Sequence, residues 1–373
     1  MRKLHWAPVN YFIAEGQRYQ VPWRAPSTVG SILKDPDSAL SDEELQYLVG
    51  FFDGDGSVFP APDGSCCVLS VGQSYTRGEA LLRFSSAFGG AVYKAGRGKG
   101  LWKPMVQWTV RGAAGKLAAR TLSQLPSMKQ AQLQLAANWP SCRKERGELA
   151  VSLKLLKQPD HKPELYCSWA FMAGFFDAEG YIRIRPLYAG VNLQLVQKNR
   201  SILDCIHVFL QVQQPGQWST VVVYDNGIHR ISCNSTRGSQ QALEHMLQAG
   251  LSVKRREAEL ALMISPSNHV RIREDVSRPS GNQSKHRRLD ESGMLRAMEI
   301  HRIGDRLRKA RASNPKVCRL QEDLHLQQLK MEHKKNCRLS VIGLLRNDIR
   351  QLLAQGASVN QTDSEKVPSC ILA

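Results

Sequence analysis

Apolar residues in this chain follow two different periods. Leu45, Leu48, Val49 and Phe52 recur at three- and four-residue intervals, which predicts a helix with one apolar face, and Trp169, Met172, Ala173 and Phe176 repeat that face later. Ser41 with Glu44 forms a capping box that starts the first of these helices. Gly56 and Gly180 are expected to supply the left-handed residue that ends each one. Strand patterns follow. Ile182 and Ile184 alternate with Arg183 and Arg185, Val191, Leu193 and Leu195 with Asn192 and Gln194, and Val106, Trp108 and Val110 with Gln107, Thr109 and Arg111. Asp225-Asn226-Gly227 predicts a hairpin turn, and helical patterns close each strand set at residues 113–125 and 237–247. Each unit thus reads as α-β-β-α-β-β-α, and the fold class is α+β.

The two units are copies of one another. Leu48-Val-Gly-Phe-Phe-Asp-Gly-Asp-Gly56 recurs 124 residues later as Met172-Ala-Gly-Phe-Phe-Asp-Ala-Glu-Gly180. Gln73 lies 18 residues after Asp55, and Gln197 lies 18 residues after Glu179. Residues 131–135 (AQLQL) echo residues 258–262 (AELAL). Ordered echoes of this kind mark a duplicated structural unit.

Charge then narrows the partner. The chain has 373 residues with 51 Lys+Arg against 33 Asp+Glu, a net +18, which favours a polyanion such as nucleic acid. The apolar run Trp169–Phe176 is far short of the ~20 residues of a membrane span, so no membrane partner is expected. The nine cysteines contain no C-x-x-C pair, which argues against a zinc finger and for reduced thiols. Residues 1–34 carry Arg2, Lys3, Arg18, Arg24 and Lys34 against the single acid Glu15. That composition suits an organelle transit segment (mitochondrion or chloroplast), while Pro8, Pro22, Pro26 and Pro36 suit a disordered extension of a nuclear or cytosolic protein. Residues 277–373 hold 19 basic and 10 acidic side chains, and Ile342, Leu345, Ile349 and Leu352 have helical spacing. This tail reads either as a DNA-clamping appendage or as a poorly packed extension. The ending Cys370-Ile-Leu-Ala373 has the form of a prenylation box, but only Lys366 stands before it as a basic residue, and it reads as coincidence.

The acids at the helix ends carry the candidate chemistry. Asp53, Asp55, Asp177 and Glu179 sit where the helix dipole is negative, an arrangement unfavourable by roughly 0.3–1 kcal/mol for each acid. A divalent cation, Mg²⁺ or Mn²⁺, would compensate. Small residues at four-residue spacing, Gly50/Gly54 and Gly174/Ala178, allow two helix backbones to approach closely. Packed in that way, the two repeats bring Asp55 and Glu179 together about a pseudo-twofold axis.

At these residues the chain resembles the LAGLIDADG homing endonucleases in their single-chain, two-repeat form, over about Leu45 to Ile264. The resemblance implies that the motif helices form the inter-repeat interface and that saddle-shaped antiparallel sheets sit on DNA. It also implies that Asp55 and Glu179 bind metal, and that Gln73 and Gln197 position active-site water. Lys129 and Lys254 are candidate basic active-site residues, while the positions aligned with the lysine of some members hold Ala136 and Met263. The polar strand faces and their flanks put Arg183, Arg185, Asn192, Gln194, Lys94, Arg97, Lys99, Arg111 and Arg230 forward as DNA contacts, because such side chains read base edges in the major groove.

The expected organisation is an N-terminal extension (1–40), a first repeat (41–150), a second repeat (151–276) and a C-terminal extension (277–373) in a monomer. The expected activity is metal-dependent, site-specific cleavage of double-stranded DNA. An intron RNA maturase and a non-catalytic DNA-binding relic are the alternatives.

Overall fold

The computed structural model describes residues 4–25, 40–98, 102–157, 165–185, 188–224, 227–277, 291–314, 319–354 and 356–359. Lys99, the 225–226 turn residues, most of the 277–284 linker and the Cys370 box lie outside them. The chain opens with β1 (Leu4–His5), β2 (Tyr11–Ala14) and β3 (Gln17–Gln20). The first repeat comprises α1 (Asp42–Asp55), β4 (Gly56–Pro60), β5 (Cys67–Ser74), α2 (Glu79–Phe88), β6 (Ala91–Gly96), β7 (Met105–Arg111) and α3 (Gly112–Leu122), and then α4 (Gln130–Ala137) and α5 (Arg143–Leu155). The second comprises α6 (Trp169–Glu179), β8 (Gly180–Ile184), β9 (Val191–Gln197), α7 (Arg200–Gln213), β10 (Val222–Tyr224), β11 (Ile228–Cys233), α8 (Thr236–Gln248), α9 (Arg255–Leu262) and α10 (His269–Ser277). The chain continues with α11 (Glu291–Ser313), α12 (Leu320–Ala354) and β12 (Ser358–Val359).

Both repeats build the expected α-β-β-α-β-β-α unit. Their antiparallel sheets have equivalent orders, β4-β5-β7-β6 and β8-β9-β11-β10. The apolar rows Leu69, Val71 and Leu193, Leu195 are buried against the helices. Opposite faces carry polar rows set by the register, such as Ser57–Ser70–Thr109 in the first sheet and Tyr181–Gln194–Ser232 in the second.

Helices α1 and α6 join the repeats. A methyl added to Gly50 would overlap the Phe171 carbonyl, and one added to Gly174 would overlap the Tyr47 carbonyl. The contact is reciprocal, residue for residue at the repeat offset, which defines a pseudo-twofold axis between the copies. Gly54 faces Ala178 in the same way. Phe51, Phe52, Phe175 and Phe176 are fully or almost fully buried in a core that the two repeats share.

Several expectations require correction. Gly56 and Gly180 are extended, with φ of −74° and −76°, rather than left-handed. Glycine is needed there because a Cβ would collide with Phe52 or Phe176 four residues earlier, where the cap N–H donates to that residue's carbonyl. Ser41 accepts from the Glu44 N–H at 3.1 Å, but the Glu44 carboxylate turns to Arg83 instead of closing a capping box. Helix α5 crosses the expected boundary at residue 150, ends at Leu155 and buries Leu153. Residues 4–25 are ordered on the first repeat. Phe12 and Ala14 are buried, the Ile13 N–H donates to the Tyr75 carbonyl at 2.7 Å, and Trp23 bridges to Val92. The aromatic density of this segment, with Phe12 stacked on Tyr19 and edge-on to Trp23, outweighs its prolines. No helix among the described residues is long and apolar enough to cross a membrane.

Candidate active site and nucleic-acid surface

The candidate site forms where α1 and α6 end side by side. Asp55 and Glu179 are the last residues of these helices. Gln73 and Gln197 extend the apolar rows of β5 and β9 beyond the core. There the inward-facing position meets a helix end, so a polar side chain replaces an apolar one. Gln73 Nε2 donates to Asp55 Oδ2 at 2.5 Å, and Gln197 Nε2 donates to Glu179 Oε1 at 3.1 Å. The Lys198 N–H donates to the side-chain Oε1 of Gln197 at 2.7 Å. The duplicated 18-residue spacing therefore builds the same carboxylate–amide pair twice.

Asp53 and Asp177 do different work from Asp55 and Glu179. Asp53 accepts the Met128 and Lys129 N–H groups at 2.9 and 3.2 Å, which ties the end of α1 to the start of α4. Asp177 accepts the Ser252, Val253 and Lys254 N–H groups at 2.7, 3.0 and 2.8 Å, at the start of α9. Both therefore serve as N-terminal anchors for a following helix, where negative charge is favourable. Their compensation comes from backbone amides, whereas among the described residues Asp55 and Glu179 accept from a glutamine side chain alone. Burial still pushes the Asp53 carboxyl up to about 6, and Lys129 opposes the shift.

Lys129 and Lys254 occupy equivalent places. Lys129 Nζ donates to the Phe52, Gly54 and Gly56 carbonyls at 2.6, 3.3 and 2.5 Å. Lys254 Nζ donates to the Phe176 carbonyl at 2.9 Å and to the Asp177 carbonyl. Each ammonium thus binds carbonyls at a motif-helix C-terminus and offsets its dipole. Burial lowers both lysines, Lys129 to about 8. Lys129 thus has three carbonyl acceptors and Lys254 two. Each bears more on the acid of the other helix: Lys254 outweighs Lys129 at Asp55, and Lys129 outweighs Lys254 at Glu179.

Burial and the neighbouring Glu179 raise Asp55 to about 6, and burial raises Glu179. The second oxygen of each carboxylate has no hydrogen-bond partner among the described residues. Two desolvated carboxylates with free oxygens at one junction fit a divalent cation completed by water and phosphate, as Mg²⁺ prefers. Among the described residues no three His, Cys, Asp or Glu side chains cluster into a ligand set made of protein alone. Beside Glu179 a cleft of about 540 Å³ opens, lined by Ser57, Lys129 and Lys157 of the first repeat and by Gln197 and Lys198 of the second.

Sequence reasoning missed two groups here. Arg77 pairs with Glu257 across the repeats. Lys103 donates to Thr76 Oγ1 at 3.2 Å, and burial with Arg77 lowers it to about 8. The repeat offset could not locate them, since Arg77 corresponds to Ser201.

On the sheet faces Arg183 is exposed, opposite Asn192 in the register. Arg185 Nε donates to Asn192 Oδ1 at 2.5 Å, and Asn192 Nδ2 donates to Asn234 Oδ1 at 2.6 Å. Asn192 is only 3% exposed, so it buttresses Arg185 and does not present its own amide, which corrects its place among direct contacts. Gln194 is half-buried on the outer face, and Arg230 is half-buried beside Val196 and Val222. Arg111 is exposed at the far end of β7, next to Val68. Lys94 is exposed opposite Val106, on the other side of β6 from Tyr93, and Arg97 is exposed just beyond that strand.

No protein-family model matches this chain, and no curated protein matches it. Solved structures similar to it include the LAGLIDADG meganuclease I-AabMI bound to uncleaved DNA, at 16% identity over 64% of this chain and 99% of that one, with a TM-score of 0.47. The meganuclease I-SmaMI bound to uncleavable DNA is similar at 13% identity over 64% of this chain and 98% of that one, with a TM-score of 0.45. The LAGLIDADG homing endonuclease I-GzeII in complex with its DNA target is similar at 13% identity over 65% of this chain and 99% of that one, also with a TM-score of 0.45.

Proposed function

We propose that this chain is a site-specific double-strand DNA endonuclease of the LAGLIDADG homing type, hydrolysing one phosphodiester on each strand with a divalent metal. The observation that carries this reading is the pair Asp55 and Glu179, each held by its own glutamine and both converging on one pseudo-twofold junction. Duplex DNA offers two scissile strands related by local twofold symmetry, and two matched acids answer that geometry.

Asp55 and Glu179 would hold Mg²⁺ or Mn²⁺. Such an ion, when bound, stabilises charge on the phosphate oxygens and makes its bound water more acidic. Gln73 and Gln197 fix the carboxylates with one amide N–H and have a second N–H to orient water. Lys129 and Lys254 hold the helix ends rigid and keep positive potential at the junction where phosphate arrives. Arg183 and Gln194 on the second sheet, with the polar rows of the first, face the duplex. The +18 net charge draws the duplex in by a salt-dependent attraction independent of sequence.

Incubating the protein with a randomised plasmid library in Mg²⁺ tests the reading. Linear products cut within one recurring motif are expected. A library left uncut in Mg²⁺ and in Mn²⁺ would remove the nuclease assignment.

A further inference from the structure

The described part of the C-terminal extension is packed and paired. Helices α11 and α12 form a hairpin around Ile303, Leu307 and Leu326, and β12 returns to pair with β1, Leu4 opposite Val359 and His5 opposite Ser358. Trp6, next to that pairing, packs edge-on against Tyr75 of the first repeat. The hairpin therefore follows α10 of the second repeat in the chain and is clasped to the first repeat at its other end.

Charge is segregated along this hairpin. Around the turn, arginines are matched by acids: Arg302 with Glu299, Arg308 with Asp305, Arg311 with Asp323, and Arg319 with Glu322. Beyond Glu332 the acids stop until Asp348, while Lys334, Lys335, Arg338 and Arg346 follow one another. All four are exposed, and none has an acidic partner among the described residues. Lys334, Arg338 and Arg346 are spaced by four and eight residues, so they share one side of α12 over about 18 Å. Between them lies a groove of about 460 Å³ lined by Met331, Leu339 and Ile342 together with Lys334, Lys335 and Arg338. A row of exposed cations with no acid interspersed in the sequence is complementary to a regularly charged polyanion. An apolar groove floor suits a backbone in which sugars alternate with phosphates.

We propose that Lys334, Lys335, Arg338 and Arg346 of α12 grip the phosphate backbone of duplex DNA flanking the segment engaged by the sheets, without reading its sequence. This rests on the DNA reading above and adds a second contact surface to it. Lysine and arginine at exposed helical positions, with no planar partner to fix a bidentate geometry, suit phosphate positioning better than base recognition.

The test uses the full chain in three forms: wild type, K334Q/K335Q/R338Q/R346Q, and the charge-keeping K334R/K335R/R338K/R346K. Affinity is measured against salt on the target selected by the wild type, with and without long flanks. On the flanked duplex the glutamine variant should lose roughly 2 to 4 in the slope of log K against log salt, at about 0.9 per phosphate contact. The unflanked duplex should show little change, the base preference should stay the same, and the charge-keeping variant should match the wild type. Equal slopes for the glutamine variant and the wild type on flanked DNA would overturn the proposal and leave the nuclease reading standing. A wild type that binds no duplex would overturn both. Stripe-dependent capture of an RNA hairpin or an acidic amphipathic peptide, with flanked DNA indifferent to the stripe, would show that the occupant is wrong.

Discussion

The Tyr47 hydroxyl donates to Asp177 Oδ2 at 2.7 Å, linking the motif helix of the first repeat to the helix end of the second. Its counterpart in the duplication is Phe171, so the tie exists on one side only. Tyr47 is fully buried, its hydroxyl also meets Ser252 Oγ at 2.8 Å, and burial beside Asp177 pushes its own proton affinity well up. Tyr47→Phe removes a hydrogen bond to a buried charge and should lower stability by roughly 1.5–3 kcal/mol. Urea midpoints measure it, and the slope of the transition should not change. An unchanged midpoint would mean that Asp177 is satisfied by the backbone amides alone.

The helix crossing leaves no room for a side chain at Gly50 or Gly174. Gly50→Ala or Gly174→Ala places a methyl on a backbone carbonyl of the facing helix, which no rotamer change can relieve. Each should cost about 1–3 kcal/mol or more by forcing the helices apart. Gly147→Ala, where a Cβ meets nothing within 4 Å, is the control and should be neutral or stabilising. Similar melting temperatures for all three variants would place the inter-repeat contact elsewhere.

Stability should also report the crowding of the acids. Folding raises the Asp55 carboxyl to about 6 through burial and the charge of Glu179. A raised carboxyl favours the folded state while protonated. That contribution is complete below the unfolded value of about 4 and is lost as pH rises through about 6. Asp55→Asn should therefore stabilise the metal-free protein by roughly 1–3 kcal/mol at pH 8 and by almost nothing at pH 4. Adding Mn²⁺ at pH 8 should stabilise the wild type and not the variant. An equal gain from the substitution at both pH values would contradict a like-charge junction.

Much of this architecture was visible in the chain, for identifiable reasons. Duplication displayed the motif acids, the two glutamines and the close-packed glycines twice at fixed spacing, so chance coincidence was filtered out. The different roles of Asp53 and Asp55 were hidden, because Asp53 is satisfied by amides 75 and 76 residues away and no local pattern reports a long-range cap. The N-terminal hairpin was obscured by its prolines and basic residues, although the aromatics that bury it were in plain view. The β1–β12 clasp joins two-residue strands at opposite ends of the chain, too short for any periodicity. Arg77 and Glu257 meet only in the assembled interface.

Base preference should depend on the two arginines of the second sheet unequally. Arg183 is exposed and free to reach a base edge, whereas Arg185 is oriented by Asn192 and Asn234. Arg183→Ala should relax preference at one or two target positions, since a bidentate contact is worth about 1–3 kcal/mol of discrimination. Asn192→Ala should reproduce part of the Arg185→Ala effect by releasing its buttress. Cleavage profiles over all single-base variants of the target decide it. A uniform loss across positions would show that these side chains touch only phosphate.

The central claim is that Asp55 and Glu179 are the metal-holding acids of one nuclease site. It is tested most directly by strand-resolved cleavage of the selected target by the wild type, Asp55→Asn and Glu179→Gln, alongside binding of the same duplex in Ca²⁺. The wild type should cut both strands in Mg²⁺. Each variant should lose double-strand cleavage by at least about a hundredfold, in line with the loss of metal-borne charge stabilisation, while binding within roughly tenfold of the wild type. Full double-strand cleavage by either variant, with binding unchanged, would contradict the account.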